Sequence, residues 1–254
     1  MPLAWLGALA IGLSLGLLGS GGSVLTVPVL VYLVGQDEKV AIAGSLFIVG
    51  TVALAGSLSF IRHRMVDWRS VALFGLPGMA GTWLGAALSA WISGPVQLLL
   101  FAGVMLAAAV MMLRPPRLPV TDSSSRHGGR VAVDGMVVGV ITGIVGVGGG
   151  FLIVPALVLL GGIAVHRAVA TSLVIIAMKS YSGFGKYLGV LAAQGLVLDW
   201  RVLATVTGFG VAGSLAGVRL GRHVPQAALR RGFAVFLLVM AVAIGFNSAA
   251  SMLG

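Results

Sequence analysis

The sequence has no cysteine and few charged residues. Charged side chains make up 9% of its 254 residues, whereas an ordinary soluble domain contains about 25%. Without cysteine the chain cannot form disulfides, thiolate metal sites or a cysteine nucleophile. The 4 histidines lie in connections, and no two stand at metal-ligand spacing. We therefore expect neither a metal site nor any other cofactor.

Acidic residues are scarce, and none lies in the middle of an apolar segment. All six lie in or beside connections: Asp37, Glu38, Asp67, Asp122, Asp134 and Asp199. A membrane protein that relays protons or binds Na⁺ carries a carboxylate inside the bilayer. The chain also offers no acid, base and nucleophile set within an apolar segment, so we predict that it is not an enzyme.

Long apolar runs dominate what is present. Hydrophobic residues make up 59% of the chain and its mean hydropathy is +1.11, which excludes a water-soluble globule. Charge-free runs cover 1–36, 40–61, 70–113, 135–165, 202–218 and 232–254, and about 20 apolar residues suffice for one span. We predict an all-α polytopic membrane protein whose N-terminal segment is retained. The net charge of +10 lies mostly in connections, which indicates membrane orientation and not nucleic-acid binding.

The chain is internally duplicated. GLLGSGGSVLTVPVL at 16–30 and GIVGVGGGFLIVPAL at 143–157 are identical at 8 of 15 positions. Asp67-Trp68-Arg69, which is typical of a helix start at the membrane interface, recurs as Asp199-Trp200-Arg201. Glycines then recur in the same order, at 78, 81 and 85 and at 210, 213 and 217. This order predicts a first transmembrane repeat at 1–114, a cytoplasmic linker at 115–131 and a second repeat at 132–254.

Each predicted repeat begins with a segment broken by glycine and proline, at 3–34 and 132–162, and three helices follow. They are predicted at 41–61, 70–92 and 95–113, and again at 167–189, 201–221 and 228–250. If both broken segments are re-entrant hairpins, one side of the membrane holds Arg62, Arg64, Arg69, Arg114, Arg117, Arg126, Arg130, Arg167, Arg219, Arg222, Arg230 and Arg231. The other side holds only Lys39 and Arg201, as the positive-inside rule requires. If every segment crosses, the bias disappears. We therefore predict two inverted repeats, each of one glycine-broken (re-entrant) hairpin plus three transmembrane helices, with both termini outside the cytoplasm.

The glycine clusters are candidate anion-binding sites. Each cluster precedes a short apolar arm whose N-terminus offers unpaired N–H groups and a partial positive charge. Broken helices of this kind form substrate sites in secondary transporters. The alternative is that these glycines only allow close helix packing. The candidate residues are Gly21, Gly22, Ser23 and Pro28 in the first arm and Gly148, Gly149, Gly150 and Pro155 in the second.

One lysine lies near the centre of a predicted helix. An ionised lysine at Lys179 costs about 2.5–3.5 kcal/mol on insertion scales, so it should face a partner or a polar cavity. It would supply counter-charge to an anion, with the hydroxyls of Ser45, Thr171 and Ser172 as hydrogen-bond donors. The alternatives are a structural lysine bonded to carbonyls and hydroxyls that serve packing. The first repeat has Val52 at the position of Lys179, so we expect an asymmetric site.

The motifs G-x-G-G-x-x-x-x-V-P-x-L at 19–30 and G-x-G-G-G-x-x-x-V-P-x-L at 146–157, with Ala170-Thr171-Ser172-Leu173, resemble the TauE/SafE sulfite exporter family. The resemblance covers nearly the whole chain. It implies a bacterial or archaeal inner-membrane permease for sulfur-containing anions such as sulfite or organosulfonates. The first motif departs from the second by Ser23 in place of Gly150, which weakens the case that both hairpins bind equally.

The predicted function is export of a small sulfur-containing oxyanion across the inner membrane by alternating access. The membrane potential, negative inside, contributes about 2.3 kcal/mol per charge per 100 mV, or about 4.6 kcal/mol for a dianion leaving the cell. Export therefore needs no coupling ion, whereas uptake does. Two alternatives stay open, a proton-coupled uptake permease and an anion channel. The expected partners are the anion and the lipid bilayer, and no nucleic acid.

Overall fold

The computed structural model describes residues 2–18, 22–113, 128–146, 150–159, 163, 165–220 and 226–253, and these residues include no β-strand. The first half of the chain forms α1 (Pro2–Leu18), α2 (Ser23–Leu33), α3 (Glu38–Arg62), α4 (Trp68–Trp91) and α5 (Gly94–Leu113). The second half forms α6 (Gly128–Val145), α7 (Gly150–Leu159), α8 (Val165–Ala193), α9 (Trp200–Leu220) and α10 (Gln226–Leu253). Four of these helices, α3, α4, α8 and α9, are long and apolar enough to cross a membrane by length and composition. The prediction of an all-α polytopic membrane protein is confirmed.

The helices that follow the broken segments begin and end within a few residues of the predicted positions. Asp67 caps α4 by accepting the Arg69 N–H at 3.3 Å, and Asp199 caps α9 by accepting the Arg201 N–H at 2.9 Å. Both interfacial tryptophans that follow are more than half exposed. The Asp-Trp-Arg motifs therefore start helices, as predicted. The helix α6 begins at Gly128, inside the segment predicted as a linker.

Glycines on α1 and α9 let these two helices pack backbone to backbone. A methyl group added at Gly12 or Gly16 would overlap the carbonyl oxygen of Gly210 or Ser214, respectively. A methyl group at Gly213 would lie 2.5 Å from the Leu9 carbonyl oxygen. The contacts advance along both helices in the same direction, so α1 and α9 run parallel. The small-xxx-small spacing accounts for the close approach.

The helices α4 and α6 form an equivalent seam. A methyl group added at Gly81 or Gly85 would overlap the carbonyl oxygen of Met136 or Val140, and these contacts also advance in parallel. The seam therefore joins the fourth helix of the first half to the first helix of the second half. The α1–α9 seam joins the first helix of the first half to the fourth helix of the second half.

The central pair, α3 and α8, runs antiparallel. Gly50, the middle residue of α3, lies beside Ser180 in the middle of α8. Gly56 approaches Leu173, whereas Gly183 approaches Leu46. The helices α5 and α10 pack mainly on each other, through apolar residues such as Phe101 and Leu237 that belong to one buried cluster.

The first broken segment is a helical hairpin. Gly22 at the start of α2 lies beside Ile11 and Leu15 of α1, and Gly7 lies beside Val29 and Leu33 near the end of α2. The two arms are therefore antiparallel and return to the same end. Pro28 cannot donate an N–H within α2, and the chain widens there to a π-helical turn at Val29–Leu33, in which the Val34 N–H donates to the Val29 carbonyl at 3.1 Å.

Candidate functional site

Lys179 is the middle residue of α8 and is fully buried, with 0% of its side chain exposed. Its ammonium has no hydrogen-bond partner among the described residues. No described acid forms an ion pair with it. Four of the five described acids lie at helix starts, and Asp134 lies six residues inside α6. A buried cation without a counter-ion is expensive in hydrocarbon. The alternative of a structural lysine bonded to backbone carbonyls therefore finds no support in the described residues.

The side chain of Lys179 extends towards α4. Its Nζ lies 5.9 Å from the centroid of the Phe74 ring, within range of a cation–π interaction. A methyl group added at Gly78 would lie 3.0 Å from Lys179 Cδ and 3.2 Å from the Gly135 carbonyl oxygen. Gly78 therefore leaves room for the lysine stem between α4, α6 and α8.

The α4 backbone is irregular at this position. Val71–Gly75 forms a π-helical turn, and Pro77 follows two residues later. Such turns are found frequently at functional sites, since they free backbone groups from the regular ladder. Phe74 lies within this turn, so the aromatic partner of Lys179 stands on an irregular stretch of helix.

The first hairpin places its predicted residues in the interior. Gly22, Ser23 and Pro28 are buried, and Thr26 donates its hydroxyl proton to the Gly22 carbonyl oxygen at 3.3 Å. Gly21 lies outside the described residues. The start of α2 thus lies in the protein interior and not against lipid.

The second broken segment, at 132–162, is described on both sides of its glycine cluster. Gly150 begins α7 and is buried, and Pro155 lies within α7. Gly148 and Gly149 lie outside the described residues. The arms α2 and α7 contact each other, so the two glycine-broken segments meet in the core.

The predicted hydroxyl residues are buried but lie at different heights. Ser45 contacts the Gly146 carbonyl oxygen at the end of α6. Thr171 Oγ1 accepts the Asp67 N–H at 3.0 Å, and Ser172 Oγ donates to the Val169 carbonyl oxygen at 2.8 Å. Because α3 and α8 are antiparallel, Ser45 lies level with about residue 184 of α8, and Ser45 and Ser172 lie roughly 18 Å apart along the helix axes. Lys179 lies between these two levels.

Two polar residues of the core were not singled out from the sequence. Gln97 on α5 and Tyr187 on α8 are fully buried, and both hydrogen-bond the Ile144 carbonyl oxygen near the end of α6. Gln97 is the sole polar side chain in the apolar run of α5, which was a usable signal. Tyr187 had none, because a tyrosine in an amphipathic helix is unremarkable by pattern.

The arrangement favours binding of an anion. A buried ammonium with free N–H donors attracts negative charge, and the surrounding helices exclude water, which strengthens the attraction. The described residues include no group of three histidine, cysteine or acidic side chains able to hold a metal ion.

The apolar spans and the buried central cation define a class, that of multi-pass α-helical membrane proteins with an interior polar site. The family model described as "Sulfite exporter TauE/SafE" matches residues 4–244. The chain belongs to this family and is a membrane transporter.

Curated relatives carry consistent names. A "Probable membrane transporter protein" of Xylella fastidiosa (strain Temecula1) is 31% identical over 254 residues, which covers 95% of this chain and 94% of the relative. A protein of the same name from Haemophilus influenzae is 28% identical and covers 93% of this chain and 94% of the relative. The "Probable membrane transporter protein YunE" of Bacillus subtilis is 29% identical over 66% of this chain and 70% of its own length. No solved structure matches the chain significantly.

Proposed function

We propose that the protein exports a small sulfur-containing oxyanion, such as sulfite or an organosulfonate, across the inner membrane by alternating access. The observation that carries this proposal is Lys179, which is fully buried in the middle of α8 without a hydrogen-bond partner among the described residues. The anion would supply the missing counter-charge. A substrate that completes the site in this way is bound tightly enough to be selected and is released when the site opens.

The resting state of Lys179 explains how the lysine tolerates the absence of substrate. The Phe74 ring at 5.9 Å offers a cation–π interaction, which is worth roughly 0.5–2 kcal/mol depending on desolvation. That is less than the insertion cost of about 2.5–3.5 kcal/mol for the lysine. An oxyanion offers a stronger, charge-assisted hydrogen bond, so the lysine would exchange the ring for the substrate.

Inverted repeats are part of the proposal. If a two-fold axis lies in the membrane plane, equivalent helices of the two halves run antiparallel. The equivalent helices α3 and α8 do so, and they cross at their middle residues, where Gly50 meets Ser180. The α1–α9 and α4–α6 seams are exchanged by the same operation. Repeats of this kind support rocking of one half against the other around a fixed site.

The two hairpin arms would contribute backbone donors. The start of α2 lies near the height of Lys179: Gly22 contacts α1 at Ile11, Gly12 contacts α9 at Gly210, and Gly210 contacts Val52 on α3. The first N–H groups of a helix lack partners within the helix. Together with Gly148, Gly149 and Gly150 of the second arm, they would line the anion site. Ser45, Thr171 and Ser172, at the outer heights, would line the two ends of the path.

The direction of transport follows from charge. Four of the five described acids lie at helix starts, which leaves Asp134, six residues inside α6, as the one described carboxylate that could serve proton or Na⁺ coupling. A dianion leaves a cell with about 4.6 kcal/mol of assistance per 100 mV. With the twelve arginines in the cytoplasm, both termini would lie outside it, and residues 115–131 would form a cytoplasmic linker between repeats 1–114 and 132–254.

The test is counterflow in proteoliposomes loaded with sulfite, with thiosulfate, sulfate and an organosulfonate as competitors. We expect saturable sulfite counterflow, and we expect Lys179→Gln to lose it while the variant inserts normally. Lys186→Gln is the matched control on the same helix, because Lys186 lies over the Trp83 ring at 4.7 Å, near the surface.

Three results would contradict the proposal. Full counterflow by Lys179→Gln would remove the lysine from the site. Flux without saturation or counterflow would indicate a channel. Accumulation of the anion driven by an inward proton gradient would indicate an uptake permease.

A further inference from the structure

The end of α6 is held by polar side chains from three other helices. Gln97 on α5 donates from Nε2 to the Ile144 carbonyl oxygen at 2.6 Å and to Tyr187 Oη at 3.0 Å. Tyr187 on α8 donates its hydroxyl proton to the same carbonyl at 3.0 Å. Ser45 on α3 donates to the Gly146 carbonyl. Both carbonyls belong to the last residues before the glycine cluster of the second hairpin.

The protons of this cluster have consistent acceptors. The Gln97 amide has two N–H groups, one for the Ile144 carbonyl and one for Tyr187 Oη, and the carbonyl oxygen accepts two bonds with its two lone pairs. The reversed amide would set Gln97 Oε1 against a carbonyl oxygen. The Ile144 carbonyl therefore fixes the orientation of the Gln97 amide. The same hydrogen bond holds α5 against α6.

The backbone after this cluster is also fixed. Gly146 adopts a φ of +74°, which favours glycine, and a methyl group there would overlap the Ile42 side chain. The Gly146 N–H donates to the Thr142 carbonyl at 2.9 Å. The backbone at the end of α6 is thus held in one conformation up to Gly146. A helix that ends inside a membrane needs such partners, because water does not reach its last carbonyls.

The first half has a different residue on α3 at the position equivalent to Tyr187. Repeat spacing places Phe60 where the second half has Tyr187, and phenylalanine has no hydroxyl to donate. The tyrosine of the clamp formed by Gln97 and Tyr187 therefore has no counterpart in the first half, and it lies on α8, the helix that also carries Lys179.

We propose that Gln97 and Tyr187 are positioning residues that hold the end of α6, at Ile144 and Gly146, in the place that anion binding by the second half requires. The part that Gln97 and Tyr187 play in anion binding rests on the proposed function. The clamp itself acts through the Ile144 carbonyl, and neither side chain needs to touch the anion. Loss of this clamp would loosen the end of α6 and weaken anion binding without removing any group that contacts the substrate.

The absence of cysteine makes a direct test possible. Val145→Cys, at the last residue of α6, where the valine is 3% exposed, reports on the end of α6 through its rate of alkylation by N-ethylmaleimide in the purified full-length protein. We expect Tyr187→Phe or Gln97→Leu to raise this rate about 3- to 10-fold, the change expected for loss of one neutral hydrogen bond.

Two controls separate a local from a global effect. Tyr181→Phe, on the same helix as Tyr187, removes a hydroxyl that pairs with Thr51 Oγ1 at 2.9 Å and makes no contact with Ile144, and it should leave the rate at position 145 unchanged. Ala53→Cys, in the buried core of α3, should react no faster in the Tyr187→Phe background. Equal rates at position 145 in all backgrounds, or an equal acceleration at position 53, would overturn the inference.

Transport kinetics test the role in binding. For sulfite counterflow we expect Tyr187→Phe to raise KM about 3- to 10-fold with Vmax retained, whereas a purely structural cap would lower the amount of folded protein at unchanged KM. Faster alkylation with unchanged KM would overturn the role in anion binding. If the unmodified protein carries none of the tested anions, the proposed function fails. The alkylation rates still decide whether the clamp holds the end of α6.

Discussion

The two halves of the molecule share one scaffold, but they differ at its centre. In the second half Lys179 packs against Gly78 and the Phe74 ring. At the equivalent place in the first half, Val52 packs against Gly210, and repeat spacing places Val206 where the other side has Phe74.

Both centres use a glycine on the fourth helix of one half to admit a side chain from the third helix of the other. Only one of these side chains is a cation. The duplication therefore supplies the packing, and the divergence of a few residues supplies the chemistry.

The largest expected effect comes from moving the charge to the other half. We expect the double variant Lys179→Val, Val52→Lys to lose about 10- to 100-fold of sulfite counterflow, the equivalent of about 1.5–3 kcal/mol for a charge-assisted hydrogen bond. The new lysine would lack an aromatic partner, because Val206 stands in place of Phe74. Initial rates in proteoliposomes, normalised to inserted protein, measure this effect. Transport at the original rate would show that the two centres are interchangeable.

Much of the scaffold was predictable because its signals are local. Long apolar runs fix the helices, Asp67 and Asp199 fix two helix starts, and a lysine in an apolar helix stands out by itself. The partners of these residues depend on contacts between distant segments. Nothing within α8 indicates that Lys179 faces Phe74.

The clamp on the second hairpin shows the same limit. The amide of Gln97 and the hydroxyl of Tyr187 converge on Ile144 only because α5, α6 and α8 pack together. Composition and spacing carry no information about that convergence. Thr171 was predicted as an anion ligand from its hydroxyl, and only the fold reveals that the hydroxyl oxygen accepts the Asp67 N–H.

The shared scaffold predicts equal effects at the two seams. We expect Gly81→Ala on α4 and Gly213→Ala on α9 to destabilise the protein by similar amounts, about 1–3 kcal/mol each, because each new methyl group meets a backbone carbonyl that cannot move freely. Thermal unfolding in detergent measures this loss. Gly103→Ala is the control, since a methyl group there has no atom within 4 Å. A large loss at one seam only would contradict a scaffold built on equivalent packing.

A subtler pair separates packing from chemistry at the two centres. A methyl group at Gly78 would lie 3.0 Å from Lys179 Cδ, and one at Gly210 would lie 2.9 Å from Val52 Cγ2. We expect Gly78→Ala and Gly210→Ala to cost similar stability. Only Gly78→Ala should raise KM for sulfite, because the new methyl group displaces the Lys179 side chain. We expect a rise of about 3- to 10-fold, which corresponds to the free energy of about one hydrogen bond. An equal rise in KM for both variants would show that the asymmetry of the centres does not matter for binding.

The smallest expected effect concerns a bond that one half has and the other lacks. Thr171 Oγ1 accepts the Asp67 N–H at 3.0 Å, whereas repeat spacing places Gly44, without a hydroxyl, at the equivalent position. We expect Thr171→Val, which keeps the side-chain shape, to lower stability by about 1 kcal/mol because it leaves that N–H without an acceptor.

The same variant should leave KM for sulfite unchanged. Thr171 lies eight residues before Lys179, or roughly 12 Å along α8, too far to bind the same anion at the same time. Unfolding temperature and counterflow kinetics measured on one preparation separate the two effects. A raised KM at unchanged stability would instead show that the Thr171 hydroxyl binds the anion. The site would then extend along α8 from Lys179 towards the N-terminus of that helix.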